Sequence, residues 1–212
     1  MKLIQSDYEN NYHGHFLLRE APNSQRNRLR LEALLAYKQS GRLLEIGCGK
    51  AGFLRLAGEH FEVEGVEISS SAVEALMPTF GERVRQANIE AHTLPHQRYD
   101  VVAAFNLLEH LRQPDRAIQR IYAALSDGGV TIGSMPNNYG LVGGVATRLS
   151  NFVDRTHIST FTPEVWRGLF SQAGFSRVVF FGEVTIGRNR ALYVRHRFWP
   201  HVSFNLMFVC VK

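Results

Sequence analysis

The residues with the clearest capacity for chemistry lie in Leu43-Leu-Glu-Ile-Gly-Cys-Gly-Lys-Ala-Gly52, an apolar run that enters a glycine-rich turn. Gly47, Gly49 and Gly52 have the G-x-G-x-x-G spacing with which a strand-to-helix turn lets backbone approach a nucleotide. Glu45, just before the first glycine, changes the ligand this turn suits. Where such a turn and the following helix hold a pyrophosphate, a carboxylate would oppose a second anion. A cationic nucleoside matches better: S-adenosylmethionine (SAM) carries a sulfonium, an α-ammonium and a ribose diol, and no phosphate. The same glycines would also serve a turn that only joins strand to helix.

Glu67 ends the alternating run Phe61-Glu-Val-Glu-Gly-Val-Glu67 and lies 20 residues beyond Gly47. At that spacing a carboxylate closing the second strand reaches the ribose hydroxyls of a nucleotide seated on the first turn. A solvated strand-end glutamate would look the same in isolation, and the joint spacing with the glycines favours the ribose. Asn88-Ile89-Glu90 offers a third contact, since an amide side chain beside backbone N–H groups can read the edge of an adenine ring.

Bringing these groups together requires parallel strands whose carboxyl ends share one edge. The pattern predicts a helix from about Phe53 to His60, then the strand ending at Glu67. A helix capped by Ser69 or Ser70 follows to about Leu76, ended near Pro78 and Gly81, and then a short strand from Arg83 to Ala87. Tyr99 to Asn106 is almost continuously apolar, as in a central parallel strand covered on both faces. Pro114 opens a helix to about Leu125, and Ser126-Asp-Gly-Gly129 turns into a strand from Val130 to Ser134. Ser24 can cap a helix to about Gln39 with Leu31, Leu34 and Leu35 on its apolar face, and Tyr8, Tyr12, His13, His15 and Phe16 form a polar-aromatic arm before it. Thr162 can cap a helix containing Trp166 and Phe170, with Glu164 in its first turn and Gly174 past its end. The expected organisation is one domain over 1–212, with an N-terminal cap over 1–40, a lid insertion over 137–158 and a basic aromatic loop over 185–201. A long insertion after a strand carboxyl end is where a substrate lid belongs.

Several ordered motifs agree with one family. Leu44-Glu-Ile-Gly-Cys-Gly49, Gly65-Val-Glu-Ile68, Tyr99-Asp-Val-Val102 and Asn106-Leu-Leu-Glu-His-Leu111 together resemble a class I SAM-dependent methyltransferase. The resemblance covers roughly residues 40–180. Its second half, with Ser134-Met-Pro-Asn-Asn138, Asp154-Arg-Thr-His-Ile-Ser-Thr-Phe-Thr162, Glu164, Trp166 and Ala173-Gly-Phe175, is similar to a bacterial branch acting on small molecules, saccharides and quinones. It implies an α/β, doubly wound Rossmann-like fold, a seven-stranded sheet of order 3-2-1-4-5-7-6 with the last strand antiparallel, and SAM across the strand carboxyl ends. On this chain Glu45, Gly47, Cys48 and Gly49 would line the methionine part, Glu67 with the adjoining Ile68 the ribose, and Asn88 with Ile89 the adenine. Asn106 would sit near the transferable methyl. The family more often has Asp at positions 88 and 106.

Methyl transfer from SAM is an in-line displacement on an activated carbon, so the protein mainly aligns the nucleophile and excludes water. A hydroxyl acceptor also gains from a proton acceptor. His157, where the lid ends, is the first candidate, and His110, just after the fourth strand, is the second; a histidine that only holds its loop in place is the alternative for each. The expected acceptor is a small molecule, methylated on an oxygen of a saccharide, lipid-linked or quinone-type group. The alternatives are a nucleic-acid or protein methyltransferase, and a nucleotide-binding protein without transferase activity that takes SAM or NAD. Leu107-Leu108 after Asn106 argues against nucleic acid, because many exocyclic amino methyltransferases have Pro-Pro-aromatic there.

Composition sets outer limits. With 212 residues and 45% hydrophobic content the chain suits one α/β core, and no apolar run is long enough to span a bilayer or serve as a signal peptide. Cys48 and Cys210 lack metal-ligand spacing, no metal is expected, and a reduced cytosol is the simplest location. From Val184 onward there is no acidic residue, while Arg188, Arg190, Arg195, Arg197 and Lys212 equal the whole-chain net charge of +5. Interleaved with Leu192, Tyr193, Phe198 and Trp199, these arginines suit an anionic substrate, an anionic membrane surface or nucleic acid, the alternative being a partly buried loop whose aromatics pack and whose arginines are solvated.

Overall fold

The structure, a computed structural model, describes residues 24–140, 144–145, 156–186, 190–194 and 203–212. Its strands are β1 (Gly41–Ile46), β2 (Phe61–Glu67), β3 (Val84–Gln86), β4 (Tyr99–Phe105), β5 (Leu125–Pro136), β6 (Arg177–Ile186), β7 (Arg190–Val194) and β8 (Asn205–Val211). They form one sheet in the order β3-β2-β1-β4-β5-β8-β6-β7. The first five are parallel, β8 lies antiparallel between β5 and β6, and β7 pairs antiparallel on the outer edge of β6.

The expected seven-strand order is therefore kept with one strand added, and the expected loop over 185–201 is corrected in part. β6 continues to Ile186 and the chain returns along it as β7. Leu192-Tyr193-Val194 is a strand-forming triplet, and Tyr193 packs edge-on against Phe181 with ring centroids 5.0 Å apart. Arg188, Arg195, Arg197, Phe198 and Trp199 lie outside the described residues, as does the aromatic arm with Tyr8, Tyr12, His13, His15 and Phe16.

Among the described residues the helices that position the sheet are α1 (Gln25–Leu35), α2 (Gly52–Ala57), α3 (Ser70–Phe80), α4 (Pro114–Ala124) and α5 (Pro163–Gln172). Ser24 caps α1 and Ser69 caps α3 through their side-chain oxygens. α1 stops at Leu35, short of Gln39, while α3 runs past Pro78 to Phe80, because a proline near the end of a helix costs only one backbone bond. Thr162 stands at the start of α5 without a side-chain capping bond, and Pro163 opens the helix instead. The Ser126–Gly129 turn is carried within β5 as a register shift: Tyr99 pairs with Leu125 and Val101 with Val130.

Alternate residues of the central strands feed two cores. Leu43 and Val101 pack with Leu34, Phe53 and Leu76 of α1, α2 and α3, whereas Leu44 and Val102 pack with Ile121 and Phe170 of α4 and α5. Burial on both faces explains the apolar run of β4, which only Asp100 interrupts. β1 pairs with both β2 and β4, so the chain reverses its winding there, the position at whose strand carboxyl ends sheets of this kind bind ligands. An ion pair ties α1 to the antiparallel half of the sheet: Arg26 Nη2 lies 2.7 Å from Glu183 Oε1 of β6, which also accepts a bond from Asn205 Nδ2 at 3.0 Å. No helix among the described residues is long and apolar enough to cross a membrane.

Candidate active site

The glycine turn leaves β1 with Gly47 at φ +72° and Gly49 at φ +50°, left-handed conformations that cost glycine little. Gly47 N–H bonds Val66 O of β2 at 2.8 Å, which fixes the turn against the neighbouring strand. Gly65 supplies the room: a Cβ there would come within 3.1 Å of Cys48 Sγ, Leu54 Cδ2 and Val84 Cγ2.

Glu67 ends β2 with its side chain buried, and its carboxylate faces this turn. Its Oε2 accepts from Gly49 N at 2.8 Å, and Oε1 accepts from Ile68 N at 2.8 Å and Ser69 N at 3.1 Å. Glu45, also buried, pairs in register with Gly65 of β2 and Ala103 of β4. Both carboxylates act on Cys48: burial first, then Glu45 and Glu67, push its thiol far above the ordinary range. Cys48 is thus a neutral packing group between two acids and not a nucleophile.

Asn88 Oδ1 accepts from Glu90 N at 2.8 Å, so its side-chain carbonyl is committed to the local turn. Ile89 is buried beside Ile46 and Val66. Ile68 holds β3 through its carbonyl, which accepts from Gln86 Nε2 at 3.0 Å. Asn106 follows β4 at φ +49°, and Ser134 Oγ of β5 donates to its Oδ1 at 3.1 Å. The next residue, Leu107, reaches back to the glycine turn, where its Cδ1 lies 3.3 Å from the position a Cβ on Gly47 would take.

One turn farther on, the two histidines meet. The rings of His110 and His157 lie 4.7 Å apart, centroid to centroid, although 47 residues separate them in sequence. Thr156 approaches His110 Nδ1 with Oγ1 at 2.9 Å and its carbonyl at 3.3 Å. Ile158 N and Ser159 N both donate to Glu109 O at 2.9 Å, and Ser159 Oγ donates to Leu111 O at 2.7 Å. The far end of the insertion is thereby fastened to the turn after β4. Its near end is held by Asn137 Nδ2, which donates to Ser203 O at 3.0 Å, and by Asn138 Nδ2, which donates to Thr160 O at 3.0 Å.

The family described as a methyltransferase domain matches residues 15–179. The chain belongs to the class I SAM-dependent methyltransferases. A probable S-adenosylmethionine-dependent methyltransferase of Mycolicibacterium smegmatis is 30% identical over 57% of this chain and 48% of its own length. A ubiquinone biosynthesis O-methyltransferase of Coxiella burnetii is 29% identical over 41% of this chain and 40% of its own. The chain spans about half the length of the curated relatives it matches. Among solved structures, a SAM-dependent methyltransferase from Thermotoga maritima, described as a possible histamine N-methyltransferase, covers 100% of both chains with a TM-score of 0.73 at 19% identity, a likeness of fold.

Within this methyltransferase frame, residues beyond the sequence candidates join the site. Glu109 is buried, with Oε1 4.0 Å from His110 Nε2; its place directly before His110 was the signal that could have found it. Thr156 orients the same ring. Glu90, quoted only as a neighbour of Asn88, accepts from Arg112 N at 2.8 Å and Gln113 N at 3.1 Å with its Oε1 and so secures the entry to α4.

Proposed function

We propose that this methyltransferase transfers the SAM methyl group to an oxygen of a small-molecule acceptor of saccharide, lipid-linked or quinone type. The observation that carries the cofactor side is the pair of buried carboxylates, Glu45 and Glu67, bearing on Cys48 in the glycine turn. That donor set fits a cationic nucleoside and opposes a pyrophosphate. An ionised carboxylate has about four acceptor sites, and Glu67 uses three on backbone N–H groups, which leaves capacity for a ribose hydroxyl.

SAM supplies an electrophilic methyl on its sulfonium. Glu45, Gly47, Cys48 and Gly49 line its methionine part, Glu67 and Ile68 its ribose, Asn88 and Ile89 its adenine, and Asn106 the methyl side. The acceptor enters beside His110 and His157, between the anchored ends of the insertion. There an imidazole takes the acceptor's hydroxyl proton or orients the hydroxyl toward the methyl. The histidine pair and the O-methyltransferase relative both favour oxygen. The basic segment around Arg195 and Arg197 serves capture of an anionic substrate or contact with an anionic membrane surface. Cys48 and Cys210 are free, buried thiols, which suits the reducing cytosol.

Titration calorimetry with SAM and NAD, followed by a screen of hydroxylated and amine acceptors with release of S-adenosylhomocysteine as readout, tests the proposal. Binding of SAM but not NAD, with turnover on hydroxyl acceptors, is expected. Failure to bind SAM, or turnover on amines alone, would overturn it.

A further inference from the structure

Glu109, His110 and His157 bring one carboxylate oxygen and two imidazole nitrogens within 4.8 Å of one another. We propose that this triad is a binding site for a divalent transition-metal ion, of which Zn²⁺ is the best match. Two imidazoles and one carboxylate form a donor set that holds zinc in hydrolytic enzymes with a coordination position left for substrate. Bonds of about 2.0–2.2 Å would require the three donors to close inward by roughly an ångström.

The surroundings supply what a metal site needs beyond its ligands. Thr156 sets its hydroxyl 2.9 Å and its carbonyl 3.3 Å from His110 Nδ1; the carbonyl can only accept, so this pair of contacts fits the tautomer with the proton on that nitrogen. The lone pair then lies on Nε2, the atom 4.0 Å from Glu109 Oε1. A metal-bound histidine characteristically gives its other N–H to such an oxygen, which fixes both tautomer and ring orientation. His157 is preorganised in another way: Thr156 on one side and Ile158 and Ser159 on the other are all tied to residues 109–111. Glu109 holds both strands of the site at once, its main-chain oxygen fastening the insertion and its carboxylate facing the rings.

The triad sits just past β4, three residues beyond Asn106 at its nearest, and therefore on the proposed acceptor side. With an ion there the two imidazoles act as ligands in place of the base role: the ion would bind an acceptor hydroxyl, lower its pKa so that the proton passes to solvent, and hold the oxygen facing the methyl. It would favour acceptors with two adjacent oxygens, such as a vicinal diol. This catalytic role rests on the methyl-transfer proposal, whereas ion binding itself does not.

The test uses the full chain, untagged and stripped with chelator, without SAM or acceptor. Titration calorimetry with Zn²⁺, and with Co²⁺ followed by its visible absorption, is expected to show one site. His110→Ala and His157→Ala, each checked for folding by circular dichroism, should weaken it more than about tenfold, since even residues that only support a ligand cost 10- to 100-fold. No binding to the wild-type protein, or unchanged affinity in either histidine variant, would overturn the proposal. A failed SAM titration would instead count against the methyltransferase function and leave this result standing.

Discussion

Gly49 donates its backbone N–H to Glu67 Oε2 at 2.8 Å, closing the carboxyl ends of β1 and β2 into one hydrogen-bonded unit. The carboxylate is thereby held in place by the backbone of the turn proposed to receive the nucleoside. Preorganisation of this kind means little ordering entropy is lost on binding.

Glu67→Ala should weaken SAM binding about 10- to 150-fold, the equivalent of roughly 1.5–3 kcal/mol for a hydrogen bond to a charged group. Titration calorimetry measures this directly. Unchanged affinity in a folded variant would remove Glu67 from the ribose site.

Glu45→Gln keeps shape and removes charge. SAM should lose more affinity than uncharged adenosine, because only SAM carries a cation for the carboxylate to complement. Equal losses for the two ligands would show that Glu45 supports the turn and does not read charge.

His157→Ala, in protein that still folds and binds SAM, should lower turnover by at least about two orders of magnitude, in line with general base catalysis. In chelator-treated wild-type enzyme, activity should rise with pH through an apparent pKa that the variant lacks. A variant with lower melting temperature, weaker SAM binding and the same pH profile would mark His157 as structural.

Glu183 gives a pH dependence to stability. Burial alone would raise its carboxyl, but Arg26 and Arg30 outweigh burial and hold it below its ordinary value of 4.5. A depressed folded-state value stabilises the fold fully above about pH 4.5, and the benefit falls away as the pH drops below that toward the folded value. Glu183→Gln should therefore destabilise strongly at pH 7, by about 3–5 kcal/mol for a broken buried pair, and the gap to wild type should narrow in acid. Thermal unfolding at both pH values checks this, and a gap that stays constant into acid would exclude the ion pair as its source.

The nucleotide half of the site is readable along the chain because it is built from local grammar. The glycine spacing, the apolar strand before it and the carboxylate closing the next strand each reflect a short-range requirement, and parallel strands of similar length bring their ends together. The boundaries shifted where local rules compete, as at Pro78 inside α3, or where an edge strand forms from a segment whose charge suggested a loop, as at Arg190–Val194.

Sequence by itself determined the glycine turn, the roles open to Glu45 and Glu67, and the family. Only the tertiary structure decided that His157 meets His110 and Glu109 and that Glu183 anchors Arg26. Those contacts join residues 47 or more positions apart through pairings with no periodic signature. Their partners are selected by how distant segments pack together on the sheet, an outcome that no single segment encodes.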